Sequence, residues 1–218
     1  MSCALCETRK EKRFCPAVHG RICPQCCGEQ REVTLDCPSD CAYLRQAREH
    51  EKPRPMEELD REALFPEVEV DQAFLYQREH LLMGLSFALA RSARAHRSVI
   101  DHDLIAALTS FGGTLETLVK SGLHYETPAT NPAHQAVISE LQKMLAEFRE
   151  VEQKHVGYST LRDSEILKAI VFLLRLAYGR TSGRPRSRAF VDFLAAQFPE
   201  KPSGVVAPQD SESRIIVP

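Results

Sequence analysis

The chain has 218 residues, is 43% hydrophobic and 27% charged, and carries a formal net charge of −2 at pH 7. These values are ordinary for a soluble globular protein, and the near-zero charge excludes a global electrostatic pull toward nucleic acid or an anionic membrane. The length suits one medium domain with a smaller appendage.

Residues 1–41 hold all eight cysteines and few large apolar side chains. Such a segment cannot bury enough apolar surface to fold alone. Metal binding would have to supply the folding energy, on the order of 10 kcal/mol per site. The opening Met-Ser-Cys-Ala-Leu-Cys has no apolar signal core and no cleavage site, so the expected compartment is cytoplasmic. Ala42 to Lys52 reads as a helix, and the prolines of Lys52-Pro53-Arg54-Pro55 then make a stiff linker. The expected organisation is a cysteine-rich module (1–41), a helix with a proline-containing linker (42–56), a helical bundle (57–198) and a disordered tail (199–218).

Within the bundle, one long buried helix is expected from the N-cap Asp71 to about His96, carrying Phe74, Leu75, Leu81, Leu82, Leu85, Phe87 and Leu89. Its run Leu81 to Ala90 is uncharged but only about half a bilayer span. A second helix follows Ser98, kinked or split at Gly112-Gly113 and closed by Gly122. After a loop from His124 to Thr130, Asn131-Pro132 opens a third helix. Val137, Ile138, Leu141, Met144, Leu145, Phe148 and Val151 recur along it at three- and four-residue steps. Asp163 caps a fourth, Ile166 to Tyr178, closed by Gly179. Lys168 and Arg175 interrupt it, so no membrane span is expected. A last helix carries Phe190, Phe193, Leu194 and Phe198, and no strand pattern stands out. The fold class is therefore mainly α: a small N-terminal zinc-binding module followed by an all-helical bundle.

The chemistry sits in the cysteines. Their spacing is Cys3-x2-Cys6-x8-Cys15-x3-His19-x3-Cys23-x2-Cys26-Cys27-x9-Cys37-x3-Cys41. A two-residue gap lets two thiolates from one tight turn reach the same ion, and zinc takes four such ligands in a tetrahedron. Interleaving the pairs gives Cys3, Cys6, Cys23 and Cys26 on one ion. Cys15, Cys37, Cys41 and a fourth ligand take a second ion; Cys27 is favoured there, with His19 as the alternative. In a different arrangement Cys15 joins the first cluster. Cys37 and Cys41 fit the first turn of a helix. Two zinc ions are expected, structural in role because thiolates are plentiful enough to close both sites; an iron–sulfur cluster on the same thiolates is the second reading.

The interleaved pairs of residues 3 to 41 resemble the cross-braced zinc modules of the RING and B-box type, and HIT-type zinc fingers. Cys26-Cys27-Gly28 and Cys37-Pro-Ser-Asp-Cys41 depart from those patterns. The B-box likeness implies a protein-interaction module. It does not imply ubiquitin transfer, since no motif for recruiting a conjugating enzyme is present.

Other constellations are weaker. His80, His102-Asp103 and Asp163 resemble the metal-binding pattern of HD-type phosphohydrolases, although Asp103 also suits a helix first turn. Glu152-x2-His155 has di-iron spacing but no second copy. Arg9, Lys10, Lys12 and Arg13 form a short basic loop, and Arg180, Arg184, Arg186 and Arg188 cluster near the last helix, an anion site or a solubilising loop. No nucleophile elbow, phosphate loop or dinucleotide fingerprint is present. The expected function is a zinc-binding, non-enzymatic adaptor or regulatory protein that binds another protein or a second copy of itself. The alternatives are a nucleic-acid-binding regulator using the two basic loops, and a helical metal-dependent hydrolase.

Overall fold

The computed structural model of the protein describes residues 1–52, 62–123 and 131–199. The Pro53–Pro55 part of the linker, the loop from His124 to Thr130 and nearly all of the tail lie outside the described residues.

The cysteine module opens with a hairpin, β1 (Arg13–Cys15) against β2 (Gly20–Ile22), antiparallel, with Phe14 opposite Arg21. No strand pattern was visible here because three-residue strands are too short to display a period of two. A 3-10 turn at Pro16–Val18 joins them, and His19 takes a left-handed conformation with φ 48°. Helix α1 (Pro24–Gln30) follows, with the Cys23 sulfur accepting from the Cys26 N–H and Pro24 in the first turn. Helix α2 (Ala42–His50) begins after Cys41. The helical turn expected at Cys37 and Cys41 is thus displaced. Pro38 removes one donor, and Cys41 flanks the helix while Cys26 and Cys27 lie inside α1.

The bundle contains α3 (Gln72–Gln77), α4 (Glu79–Ala95), α5 (Asp101–Ser121), α6 (Pro132–Val156), α7 (Asp163–Arg180) and α8 (Ala189–Gln197). The expected long helix from Asp71 is two helices. Asp71 caps α3 through the Phe74 N–H at 2.7 Å, but Arg78 leaves helical dihedrals (φ −113°, ψ 26°). Its guanidinium instead reaches Glu165 at 2.8 Å on α7. Gly112-Gly113 does not break α5. Gly112 lies where a Cβ would come within 3.0 Å of the Phe65 ring, so the glycine permits close packing. Gly122 closes α5 at φ 71°, the left-handed position that favours glycine. Gly179 does not close α7, which runs on to Arg180.

α5 packs chiefly on α7, and α4 on α6. Leu81, Leu85, Leu104, Leu108, Leu141, Ile170 and Phe190 are fully buried in one apolar core. A second, smaller core joins Cys3, Cys15, Ile22, Cys23, Cys26, Cys27 and Leu35. Polar contacts seat the module on the bundle. Arg48 of α2 donates to Glu32 at 2.7 Å and to Asp192 of α8 at 2.5 Å, and Ser39 donates to Asp192 at 2.7 Å. Among the described residues no helix is long and apolar enough to cross a membrane.

Candidate metal centre

The sulfurs of Cys3, Cys6, Cys23 and Cys26 all lie within 4.8 Å of one another. A tetrahedron with bonds of about 2.3 Å places its sulfurs about 3.8 Å apart, so this set can close on one ion with small side-chain adjustment. Two loops supply it. Cys3 is held by its N–H to the Arg9 carbonyl at 2.8 Å, and the next residue by the Ala4 N–H to the Arg21 carbonyl at 2.9 Å. Those bonds set the Cys3–Cys6 turn against β2, which leads directly into Cys23 and the start of α1.

The surroundings suit thiolates. The Cys23 N–H donates to the Cys3 sulfur at 3.1 Å, the Leu5 N–H to the same sulfur at 3.5 Å, and the Cys26 N–H to Cys23 at 3.4 Å. Arg9 directs its guanidinium at the sulfurs of Cys23 and Cys26, 3.9 Å from each. Four thiolates around a divalent ion leave about two negative charges, and these donors offset them. Hydrogen bonds from the Thr8 side chain and the backbone of Arg9 and Thr8 draw the Cys6 thiol down to about 6. Cys26 is pushed up to about 12 by its hydrogen bonding with Cys23 and by burial. Binding a metal at this set therefore releases protons.

The other four cysteines are arranged differently. Among the described residues the first set is the one group of three or more His, Cys, Asp or Glu with ligand atoms so close together. Cys15, Cys27, Cys37 and Cys41 instead line one small cavity of about 10 Å3, walled by Phe14, Leu35, Tyr43 and Leu44. That is room for one water-sized occupant. Burial raises the Cys37 thiol, the Glu32 backbone N–H lowers it, and the charges of Cys15 and Cys41 raise it further. Arg31 approaches the Cys27 sulfur at 3.9 Å. His19 is exposed at the hairpin turn and does not line this cavity.

The remaining sequence candidates are not brought together. Asp103 caps the Ile100 N–H at 3.0 Å and meets His134 at 3.1 Å, His80 and His102 are exposed, and Asp163 pairs with Arg149. Glu152 accepts from Ser159 and Thr160 at 2.8 Å and from the Leu161 N–H, while His155 is exposed. Burial alone would raise the Glu152 carboxyl, but those hydrogen bonds outweigh it and lower its pKa.

The arginine cluster proves to be structural at two of its members. Arg184 donates to the carbonyls of Arg31 at 2.6 Å and Gly28 at 3.0 Å, and Arg188 to those of Arg97 and Val99. Arg180 stacks over Phe193 with its guanidinium 4.3 Å from the ring centroid. Both sequence readings of this cluster turn these side chains to solvent or a ligand. Local sequence gives no sign of acceptor carbonyls 153 and 156 residues earlier for Arg184, or 89 and 91 residues earlier for Arg188.

Sequence reasoning also missed Glu32, which is 1% exposed. Nothing in its neighbourhood marks a buried carboxylate, because its partners Arg48 and Ser182 are distant in sequence. Arg9 belongs to the short basic loop, and the spacing gives no sign that its guanidinium lies against the Cys23 and Cys26 sulfurs. The chain matches no known protein family, no curated protein and no solved structure.

Proposed function

We propose that this is a zinc-binding, non-enzymatic interaction protein in which two thiolate-bound ions hold a small module as a rigid presenting surface. The observation that carries the reading is the convergence of the Cys3, Cys6, Cys23 and Cys26 sulfurs within 4.8 Å, with backbone N–H donors already aimed at them. Four protein thiolates leave no open coordination position, which is the arrangement of a structural ion and not a catalytic one. Zinc is favoured over an iron–sulfur cluster because a single-ion tetrahedron fits the spacing. Cys15, Cys27, Cys37 and Cys41 are the ligands of the second ion, reached by turning the thiols inward around their shared cavity.

The partner is another protein. Met83 and Phe87, four residues apart on α4, are 50% and 43% exposed and share a face with exposed His80. The nucleic-acid reading is less favoured. Arg9 faces sulfur, Arg13 stacks over Tyr43 at 4.6 Å, and Arg184 and Arg188 cap carbonyls, so few members of the basic loops remain to meet phosphates. The hydrolase reading lacks an assembled ligand set at His80, His102, Asp103 and Asp163.

Elemental analysis of the full chain, purified without added metal, tests the core of the proposal. Two zinc ions per chain are expected. A metal-free protein that keeps its cysteine module folded under strong chelation overturns it. Tight, salt-sensitive binding to DNA or RNA would replace the protein-partner reading with the nucleic-acid one.

A further inference from the structure

The second cysteine set meets the bundle at Ser39, which donates to Asp192 at 2.7 Å, and through the short segment of residues 27–32. At the C-terminal end of that segment stands Glu32, whose polar groups meet α2 and the loop between α7 and α8. Its carbonyl accepts from the Arg186 N–H at 2.8 Å, and its carboxylate accepts from Ser182 at 3.0 Å, both from the loop between α7 and α8. The other carboxylate oxygen accepts from Arg48 at 2.7 Å, and Arg48 continues to Asp192 on α8.

Arg184 of the same loop holds the carbonyls of Gly28 and Arg31 through one nitrogen, at 3.0 and 2.6 Å. The Arg31 side chain in turn approaches the Cys27 sulfur. Glu32 adopts φ 52°, a left-handed conformation that a side chain rarely takes, and these contacts from outside the module hold it there. Cys27 and Cys37 flank this segment. The conformation that carries their sulfurs into the shared cavity is therefore the conformation that the bundle loop grips.

We propose that metal binding by Cys15, Cys27, Cys37 and Cys41 and seating of the cysteine module on the bundle are one coupled equilibrium, with Glu32 and Arg184 as its joint. Cys3, Cys6, Cys23 and Cys26 have no such link to the bundle among the described contacts. Coupling of this kind is reciprocal: whatever loosens the joint weakens one ion, and removing that ion loosens the joint. The bundle thus acts as a clamp on one metal, and the metal as a latch on the bundle.

This inference rests on the two-ion reading above, and the test separates the two. Zinc release from the full chain to a chromogenic chelator is followed for the wild type, Arg184→Ala and Glu32→Gln. Neither residue is a ligand, and Arg184 lies more than 140 residues from any cysteine. The expected result is two ions in each protein as purified, with one ion released about tenfold faster in the variants and the other at the wild-type rate. In the reciprocal measurement, stripping zinc from the wild type raises amide hydrogen exchange over residues 182–192 while the centres of α5 and α7 keep their protection. That second readout decides the matter if a variant fails to accumulate. Unchanged release of both ions, equal acceleration of both, or unaltered exchange over 182–192 overturns the coupling and leaves the two-ion reading standing. Fewer than two ions in the wild type overturns that reading, and the coupling with it.

Discussion

At the scale of single residues, buried carboxylates organise the molecule as much as the cysteines do. Asp101 is 1% exposed and accepts from the N–H groups of Phe190 and Val191 at 3.1 and 3.0 Å and from Ser187 Oγ at 2.7 Å. It begins α5 and at the same time caps the N-terminus of α8. Hydrogen bonds to a charged acceptor contribute about 1.5–3 kcal/mol, and removing the acceptor leaves buried donors unpaired. Asp101→Ala should therefore lower the unfolding free energy by about 3 kcal/mol, read as a shift of the urea midpoint at unchanged slope. A loss under 1 kcal/mol would mean that the donors find other partners. Sequence reading placed Asp101 near the start of a helix but gave no reason to bury it. Its partners are almost ninety residues away, whereas the cysteine pairs announced themselves through short spacing.

At the scale of elements, two glycines in neighbouring helices separate helix propensity from packing. A Cβ at Gly84 would lie 2.8 Å from the Met144 sulfur, near the end of a buried but flexible side chain that can adjust its torsions. A Cβ at Gly112 would lie 3.0 and 3.2 Å from two atoms of the Phe65 ring, which is held in the core near Ile170. Alanine improves helix propensity by about 1 kcal/mol at either site. Gly84→Ala should be neutral or stabilising by up to about 1 kcal/mol. Gly112→Ala should be destabilising by about 1–3 kcal/mol through overpacking. Thermal melts of the two variants check the contrast, and equal shifts would refute the packing argument. Helix existence and many boundaries were readable from period and caps, as with Asn131-Pro132 for α6 and Gly122 for α5. The breaks were not. Gly112-Gly113 has the residues of a kink and makes a contact, whereas Arg78 interrupts a good helical pattern as its side chain is drawn to Glu165 on α7.

At the scale of the whole molecule, the two cores have different sources of stability. The bundle core is built of Leu, Ile, Val, Phe and Ala side chains, and at about 25 cal/mol per Å2 of buried apolar surface it can hold itself together. The module core is mostly sulfur and depends on what binds that sulfur. A strong chelator at neutral pH should unfold residues 3–41 and leave α4 to α7 intact. Far-UV circular dichroism would then fall only slightly while NMR signals of the module collapse. Cooperative loss of the α4–α7 signals would show that the bundle leans on the metal. The sequence by itself determined that the chain is mainly helical and that its cysteines lie together at one end. Both follow from local facts, residue period and short spacing. The tertiary structure decided that the spacing-derived set Cys3, Cys6, Cys23 and Cys26 meets without Cys15, that Glu32, Arg48 and Arg184 seat the module on the bundle, and that two of the late arginines face carbonyls. The last two outcomes depend on contacts between residues far apart in the chain, and no periodicity or spacing encodes them; the first was open only between the spacing-derived set and one that includes Cys15.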